Sequence, residues 1–410
     1  MSADTTPLGP FAGVNNRLPD HQLTIVNRGQ KAGDYLRNAI NVDLTSAGTL
    51  QRRKGFTLDV PGTSCHSLWS DGEGALYVDG DTLYAFPRTA ILSGLPPGNR
   101  VSFARAPSGG VYWSNGVTMG IINGGSAQPA AVPTPNPAPM LRTESGGGLP
   151  AGVYQVAVTA LGADGAESGA TWPVQIEVAE GESIVVFAMP AGPKRVYVSP
   201  CNGDVLFLAG QLDGDTVTFS MAPQQGPQIQ TLGMRPLPAG HIVRWFNGRL
   251  LVASGPLLCY SEPYAGALYN PLRGYVAMPD DITLVEPCGN GVYLATERKT
   301  WWLAGADIDK AQLVPTLPYG AVVGASARQD NSEDVWWFSQ RGVVIGDMAG
   351  QVKNIQEQTV AVQPAKFGAA MYRDQDGMRQ LVTSVFDSGV SVAAASSFME
   401  AEVVRKEMMR

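Results

Sequence analysis

Four stretches decide the fold: Gly248-Arg249-Leu250-Leu251-Val252-Ala253-Ser254, Gly291-Val292-Tyr293-Leu294-Ala295-Thr296, Val335-Trp336-Trp337-Phe338-Ser339 and Leu381-Val382-Thr383. Each reads as an apolar strand closed by a small hydroxyl residue. Aligned on that residue, they step by 42, 43 and 44 positions. An upstream copy, Gly110-Val111-Tyr112-Trp113-Ser114, lies 140 positions before Ser254. One period plus an insertion of roughly 97 residues closes that gap, and a period of about 40–45 residues with several strands per unit marks a β-propeller blade. The expected fold is all-β: a β-propeller interrupted by one inserted domain.

Composition agrees with many short strands. The chain has 410 residues, 48 of them Gly and 30 Pro, spread along its length as tight turns require. Its hydrophobic fraction of 44% and mean hydropathy of −0.03 fit a soluble core-forming chain. The net charge is −7, and no Lys/Arg run of nucleic-acid-binding type occurs, which argues against tight static binding to DNA. Cys65, Cys201, Cys259 and Cys288 lack metal or disulfide spacing and read as buried free thiols. Met1 to Pro10 lacks the pattern of a signal peptide, and no apolar run is long enough to span a membrane. Synthesis and folding in a cytoplasm are expected.

Outward from the repeat, the chain divides into an N-terminal arm and hairpin (1–60), first blades (61–125), an inserted domain (141–233), remaining blades (237–390) and a tail (391–410). In the arm, Ile40 to Leu44 and Thr49 to Arg53 pair around Ser46-Ala47-Gly48. Residues 126–140, with five prolines, read as a stiff linker, and Gly146-Gly147-Gly148 as a linker rather than a phosphate cradle. Some six strands between Gly152 and Phe219 imply a small β-sandwich of fibronectin/immunoglobulin type. Ser396 to Arg410 is the best helix candidate, either a docking helix or a frayed end.

Signals for chemistry are few. His21, His66 and His241 form no metal-spaced cluster, and no nucleophile elbow, zinc helix or Walker loop occurs, so no catalytic residue, metal ligand or cofactor is assigned and no enzyme is expected. Asp280-Asp281 and Glu333-Asp334 read as turn carboxylates before strands; Asp79-Gly80-Asp81 and Asp213-Gly214-Asp215 lack a calcium loop's ligand spacing. Trp301-Trp302 and Trp336-Trp337 are adjacent on strands, so the members of each pair face opposite sides. Packing between blades, a subunit contact and a sugar platform all remain open for them.

The N-terminal block carries a resemblance. Phe11-Ala12-Gly13-Val14-Asn15-Asn16-Arg17-Leu18-Pro19, then Asn38 to Leu44, then Gly48-Thr49-Leu50-Gln51-Arg52-Arg53-Lys54-Gly55-Phe56 resembles the opening of bacteriophage tail nozzle proteins, the tail accessory or packaged-DNA-stabilisation factors of short-tailed phages. The insertion, with Gly152-Val153-Tyr154, Asp164 to Ser168 and Arg195 to Ser199, is similar to a fibronectin-like module of some relatives. The resemblance implies a virion tail protein made in the host bacterial cytoplasm. It implies a homo-oligomeric ring, a hexamer, below portal and adaptor, with tail fibre or plug proteins as further partners. Double-stranded DNA would pass through the lumen without sequence-specific binding and without any membrane span. It points to Asn15, Asn16, Arg17, Arg52 and Arg53 as assembly residues, against the plain alternatives of a turn and surface charge. A carbohydrate-binding or carbohydrate-active propeller and a monomeric interaction scaffold are the competing readings.

Overall fold

The computed structural model describes residues 9–25, 33–45, 47–55, 57–328, 333–375, 378–386 and 401–405. The chain is all-β, a β-propeller with an inserted β-sandwich. It divides into two compact units, residues 1–100 with 278–410, and residues 101–277. The repeat unit is a four-stranded antiparallel sheet. Blade 1 is Cys65–Ser70, Ala75–Asp79, Thr82–Ala85 and Thr89–Leu92. Blade 2 is Ser102–Arg105, Val111–Ser114, Met119–Asn123 and Ser126–Pro129, and blade 3 is Ile242–Phe246, Arg249–Ser254, Leu257–Tyr260 and Tyr275–Ala277. Blade 4 is Ile282–Cys288, Gly291–Thr296, Thr300–Ala304 and Gln312–Leu317, and blade 5 is Ala321–Arg328, Val335–Ser339, Gly342–Gly346 and Val352–Asn354. Among the described residues, blade 6 has three strands, Phe367–Gln375, Met378–Phe386 and Ala401–Arg405, and its first strand joins blade 5 through a parallel pairing of Val323 with Phe367.

The repeated stretches are the second strands of their blades. Such a strand is covered on both faces, which is why it reads as an apolar run rather than an alternation. In the unit of residues 1–100 and 278–410, Val335 and Trp337 pack with Leu284, Tyr293 and Trp302 of blade 4. Trp336 and Phe338 point the other way, onto Leu381 and Ala370 of blade 6. Trp336 and Trp337 are fully buried. Tyr293 packs at a tilt between Trp302 (4.5 Å) and Trp337 (5.2 Å), and its hydroxyl donates to the carbonyls of Asp347 and Gln351. Gly350, at φ +81°, lies under the Trp302 ring, where a Cβ would come within 2.5 Å of it. In the other unit, Ala104 and Tyr112 of blade 2 pack with Val243, Leu250 and Val252 of blade 3.

The closing hydroxyl has a local job. Ser114, Thr296 and Ser339 each accept a hydrogen bond from the backbone N–H two residues on, at 3.5, 3.3 and 3.1 Å, turning the chain into the third strand. The Leu381-Val382-Thr383 copy differs: it lies in the middle of the Met378–Phe386 strand, with no turn to cap. Blade 1 was invisible to the hydroxyl pattern because its second strand ends in Asp79. That carboxylate accepts from the N–H groups of Thr63 (3.1 Å) and Ser64 (2.9 Å) and pairs with Arg88, contacts that hold it below the usual carboxylate range.

Several expectations are corrected. Residues 126–140 are not all linker: Ser126–Pro129 is the outer strand of blade 2, where a terminal proline is tolerated at the edge. Gly146-Gly147-Gly148 lies within the strand Met140–Leu149, at a register break where a Cβ on Gly147 would meet the Glu182 carbonyl at 2.1 Å. Of the cysteines, Cys259 and Cys288 are buried, but Cys65 is exposed and Cys201 half-buried. Within the tail, Ala401–Arg405 is a strand paired with Met378–Phe386, not a helix; 396–400 and 406–410 lie outside the described residues.

The insertion is a sandwich of three strands (Met140–Leu149, Glu182–Phe187, Val217–Phe219) and four (Val174–Val178, Gly152–Ala160, Lys194–Val198, Phe207–Leu212). Tyr154, Val156, Val158, Ile184, Val186, Val196 and Val198 alternate inward as its core. Glu167 joins the two segments singled out in sequence: it accepts from Thr159 (2.6 Å), Tyr197 (2.7 Å) and Arg195 (2.7 Å). Lys194 is buried and donates to the carbonyls of Gly192, Asp213 and Gly214.

Two outcomes follow from this packing. Trp337→Ala should lower the unfolding free energy by about 3–5 kcal/mol in a denaturant titration, and a loss under about 1 kcal/mol would remove the blade 4 contact from the packing account. The Tyr197 hydroxyl is pushed up to about 12, by burial first and then by Glu167. Between the unfolded value of about 10 and that point the folded chain holds a proton the unfolded chain has released, so this share of stability is lost as pH rises through the window. Tyr197→Phe should remove one tyrosine's worth of the late-titrating tyrosinate absorbance.

Candidate functional site

Three of the residues singled out in the N-terminal block, Asn15, Asn16 and Arg53, take part in holding the arm in the unit of residues 1–100 and 278–410. Phe11–Val14 pairs in parallel with Gly33–Leu36, which also pairs with Thr24–Ile25. Beyond this small sheet, Asn15 is buried and turns the chain: its Oδ1 accepts from the N–H groups of Arg17 (3.1 Å) and Leu18 (3.0 Å). An Asn side chain suits this role because it mimics a backbone turn.

Asn16 then reaches the segment after blade 5. Its N–H donates to the Thr359 carbonyl at 3.1 Å. Its side-chain amide donates to the Ala361 carbonyl (3.2 Å) and accepts from the Ala361 N–H (2.6 Å), pairing with backbone as a neighbouring strand would. Arg37 clamps the same turn by donating to the carbonyls of Asn16 (3.0 Å) and Leu18 (2.8 Å), and it pairs with Asp20 at 2.8 Å.

The second half of the joint is the hairpin Val42–Leu44 and Leu50–Arg52. Asp43, 4% exposed, carries it. The carboxylate pairs with Arg53 at 3.3 Å and Arg373 of blade 6 at 3.5 Å, and Gln380 of blade 6 donates to it at 3.5 Å. The Arg53 N–H also donates to the Asn41 carbonyl. One buried carboxylate between two guanidinium groups is compensated; with either partner removed it becomes costly.

Asn15 and Asn16 are thus spent on the arm's turn and the segment after blade 5, and Arg53 on the Asp43 node. Arg17 and Arg52 are exposed. Arg37, Asp43, Arg373 and Gln380 were missed as site residues. Asp43 stood in the quoted Asn38 to Leu44 block and was the available signal; Arg373 and Gln380 left none, being more than 300 positions away. Phe56 lies outside the described residues. The four paired tryptophans are at most 7% exposed, so none offers a free face for a sugar ring. Trp301 lies beneath the Lys299 ammonium. Among the described residues, no three His, Cys, Asp or Glu side chains are grouped to hold a metal ion, and no helix is long and apolar enough to cross a membrane. Asp280 pairs with Arg298 at 3.8 Å in the turn before blade 4.

No family model and no curated protein matches the chain. Among solved structures it is similar to BBS1N in complex with ARL6DN, at 12% identity over 80% of this chain and 90% of that one, with a TM-score of 0.31. It is similar also to the AfRom2 CNH domain (7% identity, 80% and 92% covered, TM-score 0.28) and to AztD of Citrobacter koseri (14%, 77% and 89%, TM-score 0.27). Likeness at this level assigns no family.

Asp43→Ala should leave Arg53 and Arg373 facing each other and loosen the arm by about 3 kcal/mol, read as roughly hundredfold faster hydrogen exchange at the Asn16 and Ala361 amides. Arg52→Ala should leave those amides unchanged. Equal exchange in both variants would remove Asp43 from the joint.

Proposed function

We propose that this chain is a structural subunit of a bacteriophage tail nozzle, repeated around a closed ring through which packaged double-stranded DNA is retained and then released. The observation that carries the reading is the part the nozzle-like block takes in holding the arm. Asn15, Asn16, Asp43 and Arg53 all lie in the quoted segments: Asn16 and Asp43 fix the arm against the segment after blade 5 and against blade 6, and Asn15 and Arg53 support them within the arm. An interrupted propeller with a sandwich insertion fits the layout such subunits have.

The mechanism is mechanical. Cyclic symmetry gives each subunit the same two contact surfaces and closes the assembly. The exposed Arg17 and Arg52 extend the arm's surface toward a neighbour or the adaptor above. A net charge of −7 disfavours adhesion of phosphates, so DNA slides without being read. The sandwich is the projecting element that meets fibre or plug proteins.

Cryo-electron microscopy of the particle that carries this chain tests the reading. A symmetric ring of the chain below the head, around a DNA-filled channel, is the expected result. Absence from the particle, or a peripheral monomer, would overturn it. Deleting residues 1–20 should abolish incorporation while the purified chain keeps its β-rich circular dichroism; normal incorporation would remove the arm from assembly.

A further inference from the structure

We propose that the N-terminal arm is an exchangeable element, which a second copy of this chain accepts in place of its own arm, through the same Asn16–Ala361 and Asp43–Arg373 contacts. The proposal needs neighbouring copies but not a virion, so it stands apart from the nozzle reading.

Four observations carry it. First, the arm is held by polar contacts. Among the described side chains of residues 9–64, the buried ones of any size are Asn15 and Asp43, and no apolar side chain is buried. A joint made of a few hydrogen bonds, each worth about 1 kcal/mol net, plus one ion-pair node opens far more readily than a packed core.

Second, the connection has the form of a hinge. Arg53 is fixed on the arm side by Asn41 and Asp43. Thr63 and Ser64 are fixed on the blade 1 side by Asp79, and Arg88 donates to the Pro61 carbonyl. Between these anchors, the described residues of 54–60 carry no strand, and all but Val60 are exposed. Fully extended, that segment spans roughly 25 Å.

Third, charge fits the arm to the body of this chain, whichever copy supplies it. Residues 1–60 hold seven Lys/Arg and five Asp/Glu, a net of +2, while the whole chain is −7, so the remainder carries −9. A basic arm on an acidic body is a complementary pairing that a second copy offers as well as the first. Fourth, Ile40 (71% exposed) and Leu58 (81%) lie on the arm and its hinge, beside the exposed Arg52 and Lys54. Exchange leaves the primary contacts unchanged in number and brings this apolar surface close to a second copy, so mass action decides the form.

The test uses the full chain with Cys65→Ser and Cys201→Ser, which removes the exposed and half-buried thiols. Asn16→Cys and Ala361→Cys are placed in two separately tagged chains, mixed over a range of concentrations and treated with a short bis-maleimide. A covalent product of doubled mass carrying both tags, increasing with concentration, is expected. A chain carrying both substitutions serves as the control for reach and folding, since it closes on itself or on a neighbour. If that chain closes only within itself and the mixture yields no two-tag product, exchange is overturned, whatever the particle contains. A second variant, with residues 57–60 deleted, shortens the hinge and should shift the chain from monomer to exchanged dimer in light scattering; an unchanged monomer counts against the proposal.

Discussion

The structure depends on middle strands that are buried on both faces. Val335–Ser339 is the clearest case: Trp337 fills the space against Tyr293 and Trp302, while Trp336 faces Leu381 on the other side. A strand in that position has no polar face to offer, so alternation disappears and a short apolar run remains. Its length is limited by the need to turn back. The buried hydroxyl at the end of three such strands accepts a backbone N–H of the turn and so helps set it.

The arm obeys the opposite rule. It is attached by Asn16 and Asp43 rather than by apolar burial, and its Ile40 remains exposed. Polar joints are directional and weak in sum, whereas hydrophobic packing is strong and tolerant of shape. Blade interfaces built the second way stay closed. A joint built the first way is specific about its partner residues yet indifferent to which copy supplies them.

Part of the site was legible in the sequence. Asn15 and Asn16 stood out through the resemblance of the Gly13-to-Arg17 stretch, with a plain turn as the alternative; Asn15 does make that turn. Arg53 stood out beside Arg52, but the sequence could not separate the two; the hairpin register does, placing Arg53 against Asp43 and leaving Arg52 in solvent. The tryptophan pairs were legible as two-sided, and burial then removes the sugar-platform option for them.

The sequence by itself determined the strand spacing, the blade class and the position and sandwich character of the insertion, because turns and hydrophobic period are local and repeat. It also misread what local rules cannot weigh. Ser126–Pro129 became an edge strand because blade 2 offered an open edge, and Gly147 lies in a strand where Glu182 leaves no room for a Cβ. Only the tertiary structure decided the arm's joint. Asn16 meets Ala361 across 345 positions and Asp43 meets Gln380 across 337, and contacts at that separation leave no periodic trace in the chain that makes them.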